Sequence, residues 1–258
     1  MIDDSTRGAS TTKSPYEARP WLKLYPSYIP PELTPQFASG LDMFLATVKA
    51  MPDQAAIYYF DQTMNYGELD RKSTALAAAL KDRGVVRGDR VGLYLQNIPQ
   101  FLIGLYGIWK AGGIVVLCNP MFKQKELEYH LKDSGAKGLI CLESLYDSVV
   151  RSAVGNTPVQ FVITTSELDF AGEGEQSPLL TPSKKQRFAE TLDMVELLSK
   201  FDGASVELPR ELPTPTDLLD SEQRHLVLHL RCSSAQLTPS KDAQRGLNPF
   251  DFRTRSHI

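Results

Sequence analysis

The sequence predicts an α/β fold, a mainly parallel sheet with helices on both faces. Three observations carry this. From residue 69 to 165, short apolar runs alternate with stretches of helical periodicity. The runs, such as residues 114–118, are apolar and β-branched at successive positions, as in a strand buried on both faces. Glycine or proline stands at the joints, notably Gly84, Gly88, Pro99 and Gly135.

The first 40 residues carry Pro15, Pro20, Pro26, Pro30, Pro31 and Pro35. Proline fixes φ and removes a donor, so residues 1–40 read as an extended lead-in pinned by Trp21, Leu22, Tyr25 and Tyr28. Residues 41–50 read as a short amphipathic helix. Residues 55–60 and 63–65 read as a hairpin turning at Asp61-Gln62. Leu69, Ser73, Leu76, Ala77 and Leu80 then fall on one face of a helix that Gly84 is placed to cap. A strand at 90–95 follows the Gly88-Asp89 turn. Pro99 opens a helix to about residue 111, at a position where a missing N–H costs nothing. Next come a strand at 114–118, a helix at 123–131 ended by Gly135, and a strand at 136–142. A helix at 144–154 and a strand at 159–165 complete the alternation. Residues 166–187, rich in Gly, Glu, Ser and Pro, read as an exposed loop. Residues 189–201 return to helical spacing through Leu192, Val195, Leu197 and Leu198, and beyond Asp217 the alternation stops.

Composition narrows the function classes. With 258 residues, 42% of them apolar and 23% charged, the chain can bury a sizeable core. A net charge of −3 gives no basic field of the kind nucleic acid attracts. Cys118, Cys141 and Cys232 are odd in number and far apart, which fits neither a disulfide framework nor a cysteine-built zinc site. A reducing, cytoplasmic setting follows. The polar start lacks the apolar run of a signal peptide. Residues 101–118 come nearest to a membrane span, but Lys110 at their middle would cost ~2.5–3.5 kcal/mol there. A buried helix, a turn and a buried strand explain them better than a transmembrane segment. The closing Ser256-His257-Ile258 loosely echoes a peroxisomal ending.

The residue types that carry chemistry form no constellation. Gly104, Gly107, Gly112 and Gly113 match no dinucleotide fingerprint, and Gly113 stands where a Walker loop needs Lys. Packing and turn formation account for them. His225 and His229 would share a helical face, but two ligands make no zinc site. His130 reads as a solvated surface residue. Asp133 and Glu143 are parted by a strand, which gives a paired-carboxylate mechanism no support. From Arg224 onward six Lys/Arg face two Asp/Glu, the balance of a solvated, disordered tail.

An ordered set of motifs nevertheless resembles one family. It begins with Arg19-Pro-Trp-Leu-Lys-Leu-Tyr-Pro26 and Met64-Asn-Tyr-Gly-Glu-Leu-Asp70. It continues through Ala77-Ala-Ala-Leu80, Arg83-Gly84 and Gly88-Asp-Arg-Val-Gly-Leu-Tyr-Leu-Gln-Asn97. Gly107-Ile-Trp-Lys-Ala-Gly-Gly113, Asn119-Pro120 and Glu126-Leu-Glu-Tyr-His-Leu-Lys-Asp-Ser-Gly-Ala136 complete it. Over about residues 19–217 the chain resembles the N-terminal part of the adenylate-forming acyl-CoA synthetases, in the long-chain fatty acid and aryl acid branch. The resemblance implies a partial N-terminal domain at 41–217. The activity it implies uses ATP and Mg²⁺ to turn a carboxylic acid into an acyl-adenylate, then transfers the acyl group to coenzyme A.

The resemblance also implies a Thr-Ser-Gly-Thr-Thr-Gly loop whose backbone N–H groups cradle triphosphate. Pro215-Thr-Asp217 is in place, but Leu-Leu-Asp-Ser-Glu-Gln-Arg-His-Leu-Val-Leu-His follows it. No catalytic, cofactor-binding or metal-binding residue is therefore carried over. The expectation is a fragment that binds no cofactor and is inactive alone, or a non-catalytic module that associates with a full-length synthetase. If residues 225–230 were encoded CAT-CTG-GTA-CTA-CAC-CTN, a two-base shift would read Ser-Gly-Thr-Thr-Pro. Residues 218–258 then read as an aberrant, out-of-frame tail of a synthetase gene.

Overall fold

The computed structural model describes residues 16–32, 36–172 and 185–209. The chain divides into two compact units, residues 1–36 and 37–258. In the first, Pro20–Leu24 form a 3₁₀ turn that Arg19 enters at φ 44°. Arg19 pairs with Glu32, and the Tyr16 ring packs at 6.1 Å from that of Trp21. The expected anchors are not buried, for Trp21, Tyr25 and Tyr28 are all exposed. Proline spacing foresees extended backbone here, but Pro20 at the first position of a turn also favours a short helix.

The second unit opens with α1 (Gly40–Ala50), capped by the Ser39 hydroxyl, which accepts the Asp42 N–H at 3.1 Å. The hairpin of β1 (Ala55–Tyr59) and β2 (Gln62–Asn65) leads into α2 (Tyr66–Asp82). Asn65 and Glu68 cap α2 reciprocally, side chain to backbone, at 2.8 and 3.1 Å. The alternation follows with β3 (Arg90–Tyr94), α3 (Pro99–Lys110), β4 (Ile114–Leu117), α4 (Gln124–Asp133) and β5 (Gly138–Leu142). Both α2 and α4 end on a glycine at positive φ, Gly84 at 76° and Gly135 at 60°. In each, two amides past the helix return to its last carbonyls, the arrangement that favours glycine.

The second half departs from the expected pattern in three places. The helix foreseen at 144–154 is irregular, with α5 (Glu143–Leu145) and α6 (Arg151–Val154) separated by a π-helical turn at Tyr146–Val150. After β6 (Phe161–Thr165), the stretch read as an exposed loop starts with a 3₁₀ turn, Glu167–Phe170, and Ser166 is fully buried. The stretch read as helical from 189 first adds an edge strand, β7 (Leu192–Asp193), before α7 (Met194–Lys200). At its start, residues 166–169, the exposed-loop reading does not hold, because Ser166 and Asp169 satisfy backbone groups locally and so enter the interior.

Strands β4-β3-β5-β6-β7 lie in that order, and every neighbouring pair is parallel. Successive residues point to opposite faces. Val91, Leu93, Val115, Ile140 and Ile163 join α1, α2, α3 and α7 in one core. Tyr94, Val116, Leu139, Cys141 and Val162 join α4 and the Tyr146–Ala153 stretch in the other. The expected sheet covered on both faces is therefore the observed one. Residues 210–258, with Pro215, His225, His229, Cys232 and the basic tail, lie outside the described residues.

Candidate functional site

From β3 the chain crosses through α3 to β4 on one side, then returns through α4 to β5 on the other. The strand order reverses between β3 and β5. In open parallel sheets, ligands lie outside the carboxyl ends of the strands at such a reversal. Residues at or just past those ends are Gln96 and Asn97 after β3, Glu143 after β5, and Thr165 and Ser166 at β6. Gln100, in the first turn of α3, joins them.

A continuous hydrogen-bond network occupies the β5–β7 side of this edge. Gln100 Nε2 donates to Thr165 Oγ1 at 3.0 Å and to the Ser166 carbonyl at 2.6 Å. That carbonyl can only accept, which fixes the orientation of the amide. The Thr165 hydroxyl donates in turn to Asp169 Oδ2 at 2.8 Å, and the Ser166 N–H donates to the same oxygen at 2.9 Å. Asp169 Oδ1 takes Lys185 Nζ at 2.7 Å, and Lys185 reaches Asp193 Oδ2 at 2.8 Å. The Ser166 hydroxyl and the Gln186 N–H lie near the Glu143 carboxyl. Burial holds the Glu143 carboxyl above the usual range, with the Asp169 charge adding to the rise. Gln100 Oε1 is buried and finds no partner among the described groups.

The residues singled out in the sequence stand elsewhere. Asp133 lies before β5 and Glu143 after it, at opposite ends of one strand, so the two carboxylates do not meet. His130 is not a freely solvated side chain. Its half-buried ring stacks on Phe122 at 4.6 Å and meets Tyr129 edge-on at 5.7 Å. Cys118 and Cys141 are buried free thiols flanking Tyr94. Burial raises Cys118 to about 12 and Cys141 further, so neither is a nucleophile. Gly107 packs against Leu76, where an added Cβ would come within 2.9 Å, and Gly112 turns the chain into β4. Lys110 is a buried structural cation between α2 and α3. The sequence reading missed Gln100, Asp169, Lys185 and Asp193. Only the Ser166-x-x-Asp169 spacing, a helix-start signature, marked the place.

The triphosphate of ATP fits these groups poorly. Glu143, Asp169 and Asp193 are acidic, the one cation among them is already paired, and the unmet atom of Gln100 is an acceptor. Phosphate calls for N–H donors and free cations. Among the described residues, no three His, Cys, Asp or Glu side chains are grouped to hold a metal ion. No helix among them is long and apolar enough to cross a membrane.

Strand order and doubly covered sheet place the chain among the doubly wound α/β proteins. Over residues 44–219 it matches the AMP-binding enzyme family, and the chain belongs to that family. A long-chain-fatty-acid–CoA ligase of Escherichia coli O6:H1 is 37% identical over 147 residues, covering 56% of this chain and 26% of the relative. The crystal structure of an anthranilate CoA ligase with anthranoyl-AMP superposes with a TM-score of 0.55 at 22% identity, over 69% of this chain and 31% of that one. A long-chain-fatty-acid-CoA ligase from Archaeoglobus fulgidus gives 0.53 at 21% identity, over 71% and 34%. The fold is thus that of the acyl- and aryl-CoA ligases. The chain spans about a quarter of the length of the curated relatives it matches.

Proposed function

We propose that this chain is the opening part of an ATP-dependent ligase that joins a fatty or aryl carboxylic acid to coenzyme A, and that alone it does not turn over. Family membership and the fatty-acid ligase relatives support the reaction class. The observation that carries the inactivity is the acidic, self-paired edge of the sheet. Leu218 and the residues after it also lack a glycine-rich phosphate loop. Neutralising and positioning phosphates supplies most of the rate in such chemistry, and no step is available without it. Its setting in this reading is the cytoplasm, and ATP, Mg²⁺ and coenzyme A belong to the intact enzyme.

ATP-dependent pyrophosphate exchange with a panel of fatty and aryl acids tests this. The expected rate is that of the protein-free control, and acid-dependent exchange by the purified chain overturns the inactivity. A non-catalytic role in association with a full-length synthetase is favoured by one feature, the exposed Tyr16, Leu24 and Tyr28 side chains of the first unit. Co-purification that is lost when these three become serine supports it, and co-purification unchanged by the substitutions refutes it.

A further inference from the structure

From Lys185 at the carboxyl edge of the sheet, residues 186–191 pass the Tyr146 ring and turn into the start of β7. We propose that these residues form a strap held shut by one ionic latch, Lys185 between Asp169 and Asp193, and that the strap opens locally when the latch is broken. This stands apart from the ligase reading and from any phosphate chemistry.

Three observations carry it. First, the latch joins both ends of the strap through one atom. Asp169 sits in the 3₁₀ turn after β6 and Asp193 caps α7, with side chains only 5% and 11% exposed, while that of Lys185 is 27% exposed. Without the ammonium, two largely buried carboxylates are left facing each other, and attraction becomes repulsion.

Second, the remaining contacts are mostly polar and solvent-exposed, among them the surface ion pairs of Arg187 with Glu196 and of Glu190 with Arg151. The Gln186 N–H lies near the Glu143 carboxyl, and the Thr191 hydroxyl meets that of Thr164 at 3.0 Å. Phe188 packs at 4.7 Å from the Tyr146 ring, beneath the guanidinium of Arg151. Third, the strap lies over polar groups. Glu143 is 3% exposed, and Gln100, Thr165 and Ser166 are fully buried. Water solvates such groups well, so uncovering them costs less than opening an apolar core. An open strap presents Glu143 at the edge of the sheet where parallel folds take their ligands.

Amide hydrogen exchange on the full chain, normalised to unfolded-peptide rates, tests the proposal with Lys185→Met and Lys185→Arg. In Lys185→Met the Gln186 and Thr191 amides exchange about tenfold faster or more, while Leu139 and Ile140 on β5 keep their rates. Lys185→Arg retains the charge and stays near the parent. Carbodiimide labelling of Glu143 appears in Lys185→Met and not in the parent. Raising salt to about 1 M, where charges are screened within about 3 Å, speeds the same two amides in the parent. Should Lys185→Met not fold, Lys185→Gln decides, since salt also screens the exposed pairs of Arg187 and Glu190. Strap amides that exchange at the common rate of β5 in every protein and salt overturn the proposal, as do strap rates indifferent to both charge and salt.

Discussion

Lys110 and Lys185 are both held by oxygen atoms, and their surroundings push them in opposite directions. Lys110 Nζ is 1% exposed and donates to the Asp70 carbonyl and carboxylate, Ser73 Oγ and Thr74 Oγ1 at 2.7–2.9 Å. Burial lowers its basicity further than Asp70 restores it. Lys185 is also partly desolvated, but its hydrogen bonds to two carboxylates outweigh that and its basicity rises. Surrounding a cation with four acceptors, only one of them charged, satisfies its hydrogen bonds without repaying its desolvation. Two charged acceptors do repay it. Lys110 consequently fastens two core helices together, whereas Lys185 fastens a covering segment.

The largest effect that sharpens this contrast is at Asp70. Asp70→Asn leaves a cation buried between α2 and α3 without its counter-charge, and should cost about 3–5 kcal/mol in denaturant unfolding. Lys110→Met, which leaves only the part-exposed Asp70 uncompensated, should cost less than Asp70→Asn. The reverse order would mean that the neutral acceptors, not the ion pair, hold α2 to α3.

Next comes Lys185→Met, with an expected global cost of about 1 kcal/mol, since the pair is partly screened by water. Its pH dependence has a definite sign. A lysine whose folded pKa is raised contributes stability in full below its unfolded value of about 10.4, and loses it as pH rises through the folded value. Lys110 has the opposite sign, because its folded pKa is lowered and the folded state holds the proton less tightly. Its contribution improves as pH climbs toward about 10.4. Alkaline unfolding curves of Lys185→Met and Lys110→Met should therefore depart from the parent in opposite directions.

The smallest effect is at Glu143. Its carboxyl is raised on folding, so the parent loses stability as pH rises from about 4.3 through the folded value. Glu143→Gln keeps the size and removes the charge, which should remove that decline, giving a variant equal to or slightly more stable than the parent at pH 7. Chemical denaturation of both proteins from pH 4 to 8 checks this. A fall in stability at pH 7 would show that the ionised carboxylate is a net stabiliser of the strap.

The elements most legible in the sequence were those whose signals are local. The α2 face of Leu69, Ser73, Leu76, Ala77 and Leu80, its closing Gly84, and Pro99 at the start of α3 all stand where periodicity and capping put them. Legibility ended where polar residues bury themselves through partners far along the chain. Gln100 meets Thr165 and Ser166 across 65 and 66 residues, and no spacing rule announces such a pair. Lys185 fell in the stretch read as an exposed loop, because its carboxylate partners lie in the 3₁₀ turn and at the cap of α7. His130 looked exposed because Phe122, on which it stacks, precedes the helix that carries it.

By itself the sequence determined the alternation of strand and helix, the two-faced burial of the strands and the family. Each of these depends on side-chain periodicity, turn chemistry or motif order within short windows. Tertiary structure alone decided the strand order β4-β3-β5-β6-β7 and the latch that closes its carboxyl edge. The physical reason is that hydrogen bonds and ion pairs depend on distance in space. Folding brings Gln100, Glu143, Asp169, Lys185 and Asp193 into one network that no short stretch of chain contains.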